Sequence, residues 1–188
     1  GVADYENALI LICDYSISVA TEIEHILNYA ASTNRPLLII CEDIDMGVEE
    51  ILIKNKMQNV LKPVVVKAPE FGDRRIDALE DIAILTGGTF VSNLTGIKLS
   101  EVTPEHLGNA DRIIVTSEET SIIGGTGENQ DLVDRLSDIK IKIEASTDDY
   151  NKEYQEARYA RVNGGVVVIK VGGYSDVEKL ELKDRIED

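Results

Sequence analysis

The sequence predicts an α/β domain in which helices flank a mixed sheet. Short apolar runs of strand length alternate with segments whose apolar residues recur at helical spacing. Paired glycines and X-Pro steps separate these segments, as turns between strands and helices require. The 188 residues are 43% hydrophobic and 29% charged, a composition typical of a globular chain long enough to bury a core.

The first third of the chain alternates strands with helices. Apolar runs at 8–13, 37–41 and 64–67 predict buried strands with some parallel pairing. Helices are predicted at 18–32 and 48–58, where apolar residues recur on one side. In the first helix these residues are Ile23, Ile26, Leu27 and Ala30.

Capping residues mark the helices of the remaining chain. Asp73 is predicted to cap a helix that runs to Leu85 and ends at Gly87, a residue type that easily adopts the left-handed C-cap. A long helical pair is predicted over 129–162, with a bend at 145–149 where short polar residues interrupt it. A strand at 166–171 and a solvated helix at 175–188 complete the prediction.

Charge and composition exclude several classes of function. With 19 Lys and Arg against 35 Asp and Glu, the net charge is −16, so a nucleic-acid partner is not expected. No apolar run approaches the roughly 18 residues that cross a bilayer, so a membrane partner is not expected either. Cys13 and Cys41 each end an apolar run, which indicates buried thiols in a reducing compartment. Because no CxxC motif occurs and the two histidines lie far from both cysteines, no metal site is predicted.

Two short motifs are weak candidates for a binding site. The turn 124–127 precedes a helix, as phosphate loops do, but it lacks the Gly-Lys-Ser/Thr ending, and a plain turn is favoured. Asp43 and Asp45 follow a strand and would suit a divalent ion, although a solvated capping turn is favoured there. A small-molecule-binding α/β enzyme using Glu42 and Asp43 is therefore a less favoured alternative.

Several motifs in this order resemble the group I, GroEL-type chaperonins. In order along the chain, the matching stretches are Pro36-Leu37-Leu38-Ile39-Ile40, Glu42-Asp43, Val66-Lys67-Ala68-Pro69, Phe71-Gly72-Asp73-Arg74-Arg75, 81–89, Leu107-Gly108, Asp149-Tyr150, Gly164-Gly165-Val166, 168–172, Lys183-Asp184-Arg185 and Glu187-Asp188. Each stretch is weak alone, but the set is specific and spans the whole chain without an insertion. The resemblance implies an apical-domain-like fold with a long C-terminal helical pair.

The resemblance also implies how the chain is organised. Residues 1–164 would form the apical, client-binding domain, and 165–188 a hinge and the start of the intermediate domain. Because the chain begins at Gly1 without an initiator Met, we expect an excised fragment. The resemblance implies that this fragment lacks the equatorial domain, which binds ATP and forms most ring contacts, so we expect it to be monomeric and to need no cofactor. The hinge glycines would be Gly164, Gly165, Gly172 and Gly173.

For the full-length protein, the resemblance implies an ATP-hydrolysing homo-oligomeric double ring that uses ATP and Mg. Asp188 matches the aspartate that positions the attacking water and would be latent here. Unfolded proteins and a co-chaperonin would be the partners. Such a protein would be cytoplasmic in a bacterium and otherwise lie in an organelle matrix or stroma.

The resemblance implies that clients and a co-chaperonin bind in an apolar groove formed by two helices, predicted at 18–32 and 48–58, and the family's client-contacting positions fall on these helices. Leu27 and Ile53 keep the expected aliphatic character, and Asn55 agrees with the family's polar residue. Positions 24, 49 and 54 depart from the family, because it has aliphatic side chains there and this chain has charged ones. These charged residues are Glu24, Glu49 and Lys54.

Three charges in an apolar groove leave two interpretations open. Either the protein is a diverged paralogue that binds selected partners or acts as a scaffold, or Glu49 and Lys54 shield each other and the groove still binds clients. A groove shifted towards Ile23, Ile51 and Leu52 is disfavoured, because those residues are expected in the core. Two further departures are Glu70, where the family usually has glycine, and 93–94, where it has an acidic pair.

Overall fold

The structure is a computed structural model that describes residues 3–170 and Gly173. It confirms an α/β architecture in which five helices flank a mixed sheet. The helices are α1 (Glu24–Thr33), α2 (Met46–Met57), α3 (Gly72–Thr86), α4 (Asn129–Ala145) and α5 (Asp149–Gly164). The strands are β1 (Ala3–Cys13), β2 (Ser16–Ile17), β3 (Leu37–Cys41), β4 (Asp43–Ile44), β5 (Pro63–Lys67), β6 (Phe90–Val91), β7 (Gly108–Val115), β8 (Thr120–Gly125) and β9 (Val166–Ile169). Short 3-10 helices lie at Ala20–Glu22, Leu99–Glu101 and Pro104–His106.

The main sheet has a parallel and an antiparallel half that meet at β1. Its order is β5-β3-β1-β7-β8-β9, and the short β6 also pairs with β1. The later part of β1 is parallel to β3, with Leu9 opposite Leu37, while its earlier part is antiparallel to β7, with Ala3 opposite Val115. The short strands β2 and β4 form a separate parallel pair.

Alternate residues of the central strands bury two separate cores. Leu9 and Leu11 of β1 face a core that includes Ile26 and Leu52, from α1 and α2. The residues of β1 that alternate with them face a second core on the opposite side of the sheet, where α3 packs; these are Ala8, Ile10 and Ile12. Because both faces of these strands are covered, the strands read as continuous apolar runs rather than as alternating ones.

A buried ionic cluster joins the three helices of the second layer. Arg158 of α5 is 1% exposed, and its Nε and Nη2 donate to the two carboxylate oxygens of Asp81 on α3, at 2.9 and 3.0 Å. Arg135 of α4 donates from Nε to the same carboxylate at 2.7 Å. Tyr154 donates to Asp77 at 3.2 Å, and burial with that carboxylate nearby raises the pKa of Tyr154 to about 12. This cluster fixes the long helical pair against α3.

Most predicted elements are confirmed, with local differences that have physical causes. The bend between α4 and α5 lies where it was predicted, and Gly87 is a left-handed C-cap. The first helix begins later than predicted, because Glu22 accepts the backbone N–H groups of Ser18 and Val19 and closes a 3-10 turn there. The prediction that Asp73 caps α3 was wrong, since the helix begins at Gly72.

The segment assigned to the hinge is partly built into the sheet. β9 pairs antiparallel with β8, with Ile169 opposite Thr120.

In the part of the chain that the structure describes, no helix is both long and apolar enough to span a membrane.

Candidate functional site

A largely apolar cavity on the outer side of α2 is the candidate binding site. Its volume is about 330 Å³, and it opens to solvent. The lining residues all belong to α2 or follow it directly, and they are Glu50, Ile53, Lys54, Met57 and Gln58. We call this surface the α2 pocket. Met57 is the most exposed apolar member, at 76%.

The α2 pocket exists because α2 carries apolar residues on more than one side. Asp45 caps the helix by accepting the Gly47 N–H at 2.9 Å, and Val48 and Leu52 anchor the inner side in the core. Ile51, at 41% exposed, and Met57 lie outside this inner side. An amphipathic helix normally keeps such residues out of water, so α2 has apolar surface left to cover.

The two aliphatic residues expected to contact clients are mostly buried. Leu27 is only 9% exposed and packs in the core beneath α1. Ile53 is 8% exposed, yet its side chain still lines the α2 pocket. The accessible apolar surface of α2 therefore centres on Met57, which the family resemblance did not single out. Its position four residues after Ile53 on the same side of the helix was the available signal.

The three charged positions do not share one surface. Glu24 and Lys54 are exposed, and Lys54 lines the α2 pocket. Glu49 is 2% exposed and lies on the inner side of α2, where its negative charge is one cause of the raised pKa of Cys41. The expectation that Glu49 projects into the groove beside Lys54 is therefore corrected. Asn55 is half-buried and donates its side-chain N–H to the Ile51 carbonyl at 2.8 Å.

The alternative groove at Ile23, Ile51 and Leu52, which was disfavoured on sequence grounds, is only partly accessible to solvent. Ile23 and Leu52 are 0% and 1% exposed, as expected of core residues. Ile51 was expected in the core as well, but it is 41% exposed, so that expectation is wrong. Ile51 extends the apolar surface of α2 beyond the α2 pocket.

The acidic turn after β3 has structural roles. Glu42 forms an ion pair with Arg75 of α3. Asp43 accepts the Ile44 N–H at 2.9 Å, and Asp45 is the cap of α2. Among residues 3–170 and Gly173, no three His, Cys, Asp or Glu side chains are grouped as metal ligands are.

Both cysteines are buried and unpaired at the ends of adjacent strands. Burial is the main cause that raises the pKa of the Cys13 and Cys41 thiols, the latter to about 12. A neutral thiol is a poor nucleophile and a poor metal ligand. These thiols therefore act as small apolar core residues.

The glycine segment before α4 packs against α3 and has no room for a phosphate. Gly124 and Gly125 belong to β8, so the predicted turn is wrong at these two residues. The Gly127 N–H donates to the Leu85 carbonyl at 3.0 Å. A Cβ atom at Gly125 or Gly127 would overlap the backbone carbonyls of Leu85 or Ile84, so close packing requires glycine at both positions.

The expected hinge glycines have different surroundings. Gly164 ends α5 and Gly165 is its left-handed C-cap, with φ of 69°. Gly173 donates its N–H to the Thr116 carbonyl at 2.9 Å, and a Cβ there would lie 2.6 Å from Val115 Cγ1. Gly172 and the expected latent catalytic residue Asp188 lie outside the described residues.

Comparison of the sequence with models of known protein families finds no match. The α2 pocket is therefore interpreted from its own geometry and from the motifs in the sequence.

Proposed function

We propose that residues 1–164 of this chain form the apical domain of a GroEL-type chaperonin, which binds non-native polypeptides and a co-chaperonin through the α2 pocket. The observation that carries the proposal is the exposed apolar surface around Met57, on the helix where the family resemblance places client contacts. The ordered series of chaperonin-like motifs and the mixed sheet with a long helical pair are consistent with it.

The geometry suits a partner that is recognised by apolar surface rather than by sequence. Burying apolar surface stabilises a complex by about 25 cal/mol per Å² without directional demands. Methionine is unbranched and flexible, so Met57 can adapt to side chains of different shapes. A pocket of about 330 Å³ accepts one or two client side chains at a time.

Oppositely charged residues beside the α2 pocket favour a narrower partner set than a wholly apolar groove would bind. Glu50 and Lys54 both line it, and their charges would each lose hydration under an apolar partner. A partner with a polar or charged residue next to its apolar anchor would avoid this penalty. The diverged-paralogue interpretation, with a few selected partners, therefore stays part of the proposal.

Replacing Met57 with Asp tests the proposal. A chemically unfolded test enzyme is diluted into buffer with the chain, and its aggregation is followed by light scattering. We expect the wild-type chain to suppress aggregation and Met57→Asp to weaken this effect on the order of 10-fold, since it removes apolar contact and adds a charge that partner binding would bury. Because Met57 is 76% exposed, the variant should fold normally, which circular dichroism verifies.

A matched control distinguishes binding at the α2 pocket from nonspecific binding to other apolar surface. Val133 is 57% exposed on α4, on the opposite side of the sheet, so Val133→Asp should leave suppression unchanged. Equal losses in both variants, or an inert wild-type chain, would contradict the proposal. A panel of several unfolded clients then distinguishes a general binder from a selective one.

The proposal extends to the full-length protein. There the apical domain would turn about its hinge glycines in a homo-oligomeric double ring that hydrolyses ATP with Mg, and Asp188 would position the attacking water. Ring assembly and ATP-driven refolding by the full-length protein test this part. Stable partner binding without refolding would indicate a scaffolding role.

A further inference from the structure

A second, smaller pocket lies where the start of α3, the later part of α5 and the end of β9 meet. Its volume is about 90 Å³. Nine residues line it, and they are Pro69, Glu70, Arg74, Ala78, Tyr154, Arg161, Val168, Ile169 and Lys170. We call it the cationic pocket, because Arg74, Arg161 and Lys170 face a single lining carboxylate. Its formal charge of +2 contrasts with the net charge of −16 of the whole chain.

The three cations are available to a ligand to different degrees. Arg161 is half-buried, and within the described part of the chain it has no hydrogen-bond or ion-pair partner. Arg74 lies over the rings of Tyr150 and Tyr154, 4.9 and 4.1 Å from their centroids, which orients its guanidinium without a carboxylate partner. Lys170 is 3.3 Å from Glu119, but its side chain is 87% exposed, so this ion pair is weak.

Among the described residues, the nearby acidic groups leave Arg74 and Arg161 without a carboxylate partner. Glu70 is the one carboxylate among the lining residues. Asp77 lies behind Tyr154, where it accepts the tyrosine hydroxyl and pairs with Arg158 and Lys142. Arg161 is half-buried and has no counter-ion among the residues that the structure describes, which is unfavourable, and an anion that enters the pocket would relieve this.

The size and charge of the pocket select the class of anion. A volume of about 90 Å³ accepts one small oxyanion but not a nucleotide. A phosphate group carries a charge of about −1.5 to −2 at pH 7, which complements the guanidinium groups of Arg74 and Arg161, and it accepts hydrogen bonds from several directions. We infer that the cationic pocket binds a phosphate-type dianion, either free inorganic phosphate or a phosphoryl group on a partner. This inference does not depend on the function proposed for the α2 pocket.

Binding of inorganic phosphate and of O-phosphoserine, measured by calorimetry at constant ionic strength, tests the inference. We expect phosphate to bind in the wild-type chain and Arg161→Ala to weaken binding by roughly 10-fold, the usual effect of losing one charge-assisted hydrogen bond. Arg161→Lys should recover part of this loss. Lys56→Ala, which removes an exposed cation from α2, should leave binding unchanged. Since Arg161 has no partner in the described residues, thermal unfolding should show that these variants keep the wild-type fold.

The two ligands distinguish the source of the phosphate group. Tighter binding of O-phosphoserine than of phosphate indicates a phosphorylated partner, while equal or weaker binding indicates the free ion. No heat of binding for either ligand would overturn the inference. Equal affinities in the wild-type chain and in Arg161→Ala would overturn it as well.

Discussion

Glu70 has a backbone φ of 60°, in the left-handed region that non-glycine residues other than Asn and Asp rarely adopt. It lies in the turn between β5 and α3, where the chaperonin resemblance leads one to expect glycine. The backbone at this position therefore has a glycine-type conformation although the residue is glutamate. Backbone strain at Glu70 is the physical consequence.

Replacing Glu70 with Gly should therefore stabilise the chain. A non-glycine residue in the left-handed region is unfavourable by about 1–2 kcal/mol, and the added flexibility of glycine in the unfolded chain offsets part of this. We expect Glu70→Gly to raise the free energy of unfolding by about 1 kcal/mol, measured by urea denaturation. Glu70→Ala keeps the strain and should give no such gain; an equal gain in both variants would show that the carboxylate, not the backbone, was responsible.

At the level of secondary-structure elements, α3, α4 and α5 depend on one buried carboxylate. Asp81, 5% exposed, accepts hydrogen bonds from Arg135 and from two nitrogens of Arg158. These residues are 54 and 77 positions from Asp81 in sequence, so the cluster links distant parts of the chain. Breaking a buried ion pair by removing one member is strongly destabilising, because the other charge is left in the interior.

Removal of the Arg158 side chain should destabilise this helical layer. We expect Arg158→Ala to lower the free energy of unfolding by about 3–5 kcal/mol, measured by chemical denaturation. The double variant Asp81→Leu with Arg158→Met should recover part of this loss, because it removes both members of the pair, while Arg135 keeps Glu80 as its ion-pair partner. Arg112 pairs with Asp4 on the exposed surface, so Arg112→Ala is a control with a much smaller expected effect. Similar losses in Arg158→Ala and Arg112→Ala would contradict the assigned role of the cluster.

On the scale of the whole molecule, the net charge of −16 makes the folded chain repel itself. Salt screens this repulsion: the Debye length falls from roughly 30 Å at 0.01 M to about 3 Å at 1 M ionic strength. Buried pairs such as Arg158 with Asp81 are screened much less. Long-range repulsion should therefore dominate the response of stability to salt.

The melting temperature at pH 7 should accordingly rise as NaCl is increased over this range, as followed by circular dichroism. The same titration near pH 4.5, the sequence pI, serves as the control, because the net repulsion is nearly absent there and the rise should be much smaller. A melting temperature that falls with NaCl at pH 7 would show that attractive surface pairs outweigh the excess negative charge.

The sequence alone predicts some secondary-structure elements better than others. The strands β1, β3 and β5 and the pair α4 and α5 follow from apolar runs and from the polar break at 145–149. The later start of α1 and the inclusion of Gly125 in β8 depend on hydrogen bonds and close contacts that the apolar pattern does not contain.

The candidate sites were less predictable than the fold. The sequence placed α2 correctly, but it did not show that Glu49 is buried and that Met57 is exposed. The cationic pocket was missed altogether, since Arg74, Arg161 and Lys170 come from three separate elements. The motif 71–75, which contains Arg74, and the glycine preference at position 70 were the sequence signals from this region.

The sequence by itself determined the strands β1, β3, β5 and β9, the order of the five helices and the excess of negative charge. The tertiary structure decided which side of α2 the core covers, where β9 joins the sheet, and which charges meet across α3, α4 and α5. The physical reason is that apolar periodicity is a property of neighbouring residues. The burial of a particular side chain depends on elements far away in sequence that pack against it.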